Sequence, residues 1–314
     1  MSFYWNRVLI AGTFLLSLSL SMISICATAA VTPANICQIQ GYDKDGLMAL
    51  REAEYKIDEA ENLDGLALEM LSCLADPDPD LRDKFAYEGY VALLRNDRLT
   101  DKTLETLRTE LIKILAPETS DQAGFKKPFA ALVLAELARS DRVDPNFTSE
   151  QRQEIIDSAT VYMTNIRDYR GYDETNGWRH GVAHTSDLLM QLSLNKALSP
   201  AQHKQIREAV RSQIIPGDAH FYIYGEPDRL ARPILYLALQ GAFNTQDWTG
   251  WMADLADPAP FESWNDVYQS QKGLAKLHNA KAFANAIYLN AANSENANVQ
   301  ALATPALDVL KALP

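Results

Sequence analysis

Apolar residues along this chain recur at intervals of three and four. Leu104, Leu107, Leu111 and Ile114 keep that rhythm, as do Phe129, Leu132, Val133 and Leu137, and Ile155, Ala159, Tyr162, Met163 and Ile166. Such spacing places one apolar stripe along an α-helix. No comparable strand alternation stands out. Start signals agree with the rhythm. Asp78-Pro79 precedes Leu81, Thr148 with Gln151 makes a capping box, and Ser199-Pro200 opens another run. Together they predict helices near 44–57, 63–75, 79–95, 101–116, 124–139 and 149–167. Further helices are predicted near 178–195, 200–214, 227–242, 246–255, 270–292 and 297–312. Short connections make consecutive helices antiparallel neighbours. The expected fold is all-α, a HEAT-like α-solenoid of about a dozen helices stacked as hairpins. Its longest irregular stretches, 168–177 and 214–227, are where functional loops are expected.

The first 29 residues break the pattern. Met1–Arg7 carries one charge, Val8–Ile25 is apolar, and Ala27-Thr28-Ala29 supplies small residues at the spacing a signal peptidase accepts. The expectation is a cleaved signal at 1–29 and a single helical domain over 30–314. That makes the mature protein soluble and extracytoplasmic, periplasmic or secreted. An uncleaved anchor is the rival reading, weakened by Ser17, Ser19, Ser21 and Ser24. No later segment is apolar enough for stable membrane insertion. The whole chain has a formal charge of −12, and losing Arg7 makes it one unit more acidic. Such a surface excludes nonspecific binding of nucleic acid. Of three cysteines, Cys26 would leave with the signal. Cys37 and Cys73 remain as an even pair for an oxidising compartment, where disulfides persist. The bland alternative is two unrelated thiols, with Cys73 as a small apolar residue on a helix face.

Candidate chemistry is concentrated in two places. One is Asp168–Asp187, with Asp168, Arg170, Trp178, His180, His184 and Asp187. The other is Glu226–Ala231, with Glu226, Asp228 and Arg229. On a helix, His180 and His184 would share a face, offset by about 6 Å along the axis, a spacing that suits two imidazoles on a divalent metal. Gly181 stands where a zincin motif needs its glutamate, so another ligand and another base would have to come from elsewhere. Glu226 and Asp228 are the first outside carboxylates to consider, and Asp168 and Asp173 the next. Asp187 is placed to orient His184 rather than to bind metal. Arg170 and Arg229 read as partners of buried carboxylates or as a clamp on an anionic ligand. Gly181 within a helix costs about 1 kcal/mol against alanine, which implies a close neighbour there. The bland reading is a hydrogen-bonded polar seam between helices, with Trp178 as packing. Tyr222 and Tyr224 beside His220 form an aromatic loop that covers a helix pair or lines a pocket.

In pattern and order these motifs resemble the bacterial family catalogued as domain of unknown function 2785, over most of 75–245. The resemblance is carried by Asp78–Asp83 with Tyr87-Glu88, Phe129–Leu134, Asp168–Tyr172, Gly177-Trp178 with His180 and His184, Asp187–Leu189, and Gly225–Ala231. It implies an all-helical, solenoid-like fold and no particular activity. This chain departs from the pattern at Lys127-Pro128-Phe129-Ala130, where an Arg-Ser-Phe-Ser-like run is expected. It departs again at Arg179 and Gly181, where small apolar residues are expected. No G-x-S-x-G, phosphate-binding loop, dinucleotide fingerprint or C-x-x-C pair is present. Two functional readings remain from the sequence. One is an exported binding module for a protein, peptide or small-molecule ligand, built around the His/Asp/Glu/Arg cluster. The alternative is a metal-dependent, hydrolase-like enzyme centred on His180 and His184.

Overall fold

A computed structural model describes residues 36–57 and 60–314; the signal expected at 1–29 lies outside the described residues. The elements begin with α1 (Lys44–Glu52), α2 (Ala60–Glu69) and a 3-10 turn at Ser72–Ala75. A π-helical stretch, Asp80–Tyr87, then runs straight into α3 (Glu88–Arg95). Next come α4 (Asp101–Leu115), α5 (Lys126–Val143) and α6 (Ser149–Asn165). A small hairpin, β1 (Tyr172–Asp173) and β2 (Gly177–Trp178), precedes α7 (Gly181–Ser193), α8 (Pro200–Ile214) and α9 (Glu226–Leu239). The C-terminal part holds α10 (Thr245–Ala253), α11 (Trp264–Val267), α12 (Gln271–Ala292), α13 (Ala297–Gln300) and α14 (Ala303–Ala312).

Helices two apart in the chain stack on each other. The α4, α6 and α8 helices form one row, and α5, α7 and α9 form a second that continues through α12 to α14. Each α4/α5, α6/α7 and α8/α9 pair is thus one hairpin of a solenoid, with the longer connections inside the hairpins and the short links 144–148 and 194–199 between them. The capping box foreseen at Thr148 with Gln151 is complete, and the start foreseen at Ser199-Pro200 is completed by a second box with Gln202. Within that second row, α5 and α7 are surrounded on all sides over most of their length. In α5 every residue from Pro128 to Ala138 is buried, and in α7 every residue from Gly181 to Leu189. The hydroxyls of Thr185, Ser186 and Ser193 therefore turn back onto their own helix and donate to the carbonyls of Gly181, Val182 and Leu189. That satisfies them without a neighbour and lets the helices on either side approach closely.

Cys37 and Cys73 are bonded, which ties the segment before α1 to the 3-10 turn after α2. Asp76 adds to this tie by accepting from the backbone amides of Ile36 and Cys37 at 2.9 and 2.8 Å. Several predicted boundaries move: the helix expected over 63–75 ends at Glu69, the one over 124–139 runs to Val143, the one over 297–312 divides into α13 and α14, and α11 was not foreseen. The first helix ends at Glu52, not 57, because Glu54 and Tyr55 turn left-handed, with φ of 56° and 55°. The helix expected over 178–195 begins only at Gly181, because β2 and a left-handed His180 occupy its predicted first turn. Among the described residues no helix is long and apolar enough to cross a membrane.

Candidate functional site

The segment between α6 and α7 joins the two rows, and its shape follows from local hydrogen bonds. Asp173 folds the hairpin tip by accepting from the amides of Thr175 and Asn176 at 3.0 and 2.6 Å. Tyr172 pairs with Trp178, and Asp173 with Gly177. The pairing extends beyond the strands, since the Arg179 amide donates to the Gly171 carbonyl and the His180 amide to that of Arg170. His180 then adopts φ 59° and starts α7. Gly225 plays the same part for α9 with φ 84°. A left-handed non-glycine residue is disfavoured, and such strain gathers at functional sites.

Beneath the hairpin lies a buried polar cluster. His180 and His184 are 8% and 7% exposed, with ring centroids 5.8 Å apart. Trp178 covers His180 in a stacked arrangement at 4.7 Å, and Phe129 meets His184 edge-on at 5.0 Å. Burial pushes His180 down to about 4; nearby Arg229 adds to the shift and a hydrogen bond to the Tyr224 backbone opposes it. Burial, then His180 and Arg229, push His184 well below the usual imidazole range, so both rings are neutral at pH 7. His180 Nε2 and His184 Nδ1 are buried without a hydrogen-bond partner. Glu226, also buried, turns one oxygen to the Tyr224 amide at 2.9 Å and holds the other 3.9 Å from His180 Nε2, too far for a hydrogen bond. Burial raises its carboxyl above the ordinary range.

Asp187 does not orient His184. The Arg229 fork takes both of its oxygens, with Nε donating to Oδ1 at 2.8 Å, and Arg232 approaches Oδ1 at 3.6 Å. Burial raises Asp187 despite these two guanidinium groups. Arg229 is thus a carboxylate partner, as one of its two sequence readings had it. Asp228 points the other way, exposed on the first turn of α9. Asp168 and Arg170 stand apart from the histidines as a pair of their own, with Arg170 Nε 2.8 Å from Asp168 Oδ1. Burial works against the Asp168 charge, but the Arg170 side-chain and backbone hydrogen bonds prevail and hold its carboxyl low. Among the described residues no group of three or more His, Cys, Asp or Glu side chains is placed to hold a metal ion. The expected His180/His184 metal pair is thus without a third ligand in place: Asp187 is committed to Arg229, and Glu226 Oε1 stands 3.9 Å from His180 Nε2.

Open space lies beside this cluster. One cavity of about 350 Å³ is walled by Asp121, Lys127, Tyr162, Asp168, Arg179 and Gly181 among others. A second, of about 590 Å³, is walled by the Asp168–Asp173 run with Arg179, His220, Ile223 and Tyr224. Neither wall includes His180 or His184. Gly181 is the first residue of α7 and not a helix-interior glycine, so the interior penalty does not apply. A Cβ there would meet Tyr162 Oη at 3.4 Å and Pro128 Cγ at 3.7 Å. Of the aromatic loop, Tyr224 and His220 line the second cavity, while Tyr222 is buried and donates to Gln213.

Three framing residues escaped the sequence reading. Arg82 is fully buried and donates to the carbonyls of Asp76 and Asn176, which ties the π-helical stretch to the hairpin tip. Phe125 lies between Arg82 and Arg179, each guanidinium 4.2 Å from its ring centre. Arg179 forms an ion pair with Asp173 and donates to the Ala123 carbonyl at 2.8 Å. The signal was the arginine within Asp78–Asp83, but sequence alone does not show that it spans more than ninety residues.

No curated protein and no solved structure matches the chain. A family model does match, over residues 111–289, from within α4 to within α12. That span includes every residue of the polar cluster and both cavities, and excludes Arg82 and the disulfide. The chain therefore belongs to the family described as protein of unknown function (DUF2785).

Proposed function

We propose that this protein is an exported binding module that seats a small ligand beside the segment 166–180. The supporting observation is that this one segment walls two cavities of about 350 and 590 Å³, both within the size range of ligand pockets. The walls mix rings with guanidinium and carboxylate groups, the composition a specific pocket needs. The buried histidines, Glu226, Asp187 and Arg229 form the frame under those walls. A hydrolase-like reading centred on His180 and His184 needs a substrate beside their rings, and both cavities open onto other side chains.

Export draws support from the Met1–Ala29 pattern and from the Cys37–Cys73 bond, which suits an oxidising compartment. N-terminal sequencing of protein from the envelope or culture fluid should begin near Ala30. An intact Met1 start in the cytosol would refute export.

Binding is tested by a thermal-shift screen of amino acids, short peptides, carboxylic acids and oligosaccharides. At least one class should raise the melting temperature of the wild type and not that of Arg170→Ala, whose exposed side chain can be lost without unfolding. If no class shifts the wild type, or Arg170→Ala responds equally, the seat is not at this segment.

A further inference from the structure

We infer that the larger cavity takes a neutral saccharide, with a sugar ring laid against the exposed Tyr172–Trp178 pair. This rests on the binding reading above and names its ligand. Tyr172 and Trp178 are opposite each other across the hairpin, so their side chains leave the same face. Their ring centroids are 5.1 Å apart, and the residues are 48% and 37% exposed. The pair stays partly open to solvent even though Trp178 also covers His180. Behind Trp178 the stacked His180 imidazole fixes the indole plane. Tyr169, stacked on His220 at 4.9 Å, and Tyr224 continue the aromatic surface into the cavity.

Four of the five charged side chains on the wall form matched ion pairs, Asp168 with Arg170 and Asp173 with Arg179, while Arg167 turns onto the carbonyls of Thr164 and Ile166. A charged ligand would have to displace a partner already in place. A hydroxyl does not, because it accepts from a guanidinium and donates to a carboxylate at once. A sugar offers an apolar C–H face to the rings and a rim of hydroxyls to the pairs. An extended peptide would need a longer free strand edge than two residues provide.

The test is isothermal titration with cellotetraose, maltotetraose and chitotetraose, and with tetragalacturonate as the charged counterpart. One neutral tetrasaccharide should bind, with saturation transfer strongest on its C–H face. Tyr172→Ala should weaken it by about ten-fold, the scale of one aromatic contact, without lowering the melting temperature. The saccharide inference is overturned if none of the three binds, if Tyr172→Ala leaves affinity unchanged, or if only tetragalacturonate binds. A non-saccharide ligand that depends on Tyr172 would end this inference and leave the binding module standing. If neither these sugars nor the wider screen binds, both fall.

Discussion

Trp178 lies on His180 with ring centroids 4.7 Å apart and planes within 24°, so the exposed aromatic face and the buried polar frame share one stack. The stack explains why a strained, left-handed histidine is kept at the start of α7. It keeps the imidazole dry and holds the indole plane.

If that cover is what depresses His180, then Trp178→Ala should move its titration up from about 4 toward 6.5, since burial is the leading cause of the shift. NMR titration of the ring protons measures this. A value that stays near 4 would mean that Arg229 dominates.

The same shifts set the pH dependence of stability. The folded state resists protonating His180 and His184, and the unfolded chain protonates its histidines near 6.5. Their contribution is therefore complete above about pH 6.5 and is lost as pH falls toward about 4. Asp187 and Glu226 act with the opposite sign, because their folded carboxyls are raised. Their effect grows as pH falls through their raised folded values. The melting temperature should fall between pH 7 and pH 5, and His184→Phe should flatten that slope. A rise in stability over the same interval would contradict the assignment of neutral rings.

Asp187 is the buried end of a fork from Arg229, with Arg232 nearby. Removing one end of a buried pair strands the other, so Asp187→Ala should cost roughly 3–5 kcal/mol in denaturant unfolding. The double variant Asp187→Leu, Arg229→Met should recover most of the loss. Additive losses in the double variant would show that the two side chains act separately.

Opening the Cys37–Cys73 loop, of sequence separation 36, should lower stability by about 3–4 kcal/mol in the chain-entropy model. Unfolding of Cys37→Ser/Cys73→Ser against the oxidised wild type measures it. Equal stability would mean that the Asp76 bonds to the amides of Ile36 and Cys37 hold the segment unaided.

Gly171 sits directly against the Tyr224 ring, where a Cβ would overlap it. Gly171→Ala should push Tyr224 into the larger cavity and block ligand while leaving the helices intact by circular dichroism. Unchanged binding would place the ligand elsewhere.

Much of the fold was legible because helical periodicity and capping boxes are local signals. Thr148 with Gln151 and Ser199-Pro200 mark their helix starts, and the structure keeps both. The cysteine pairing followed from counting and compartment. The site was legible only in part. The spacing of His180 and His184 fits a helix, but the Asp173 turn and the pairing of Arg170-Gly171 with Arg179-His180 compete for the first turn and win. Asp187 was read against a neighbour three residues away, whereas its partner Arg229 lies 42 residues on. Arg82 reaches Asn176 across 94 residues. Contacts of that range depend on how hairpins stack, which the apolar rhythm does not encode.

The account stands most directly on where a ligand sits. Hydrogen-exchange mass spectrometry, with and without the compound that most raises the melting temperature, locates it. Exchange should slow in peptides spanning residues 168–179 and 220–224, with the C-terminal helices unchanged. Protection confined to those C-terminal helices, or spread evenly over the chain, would contradict it.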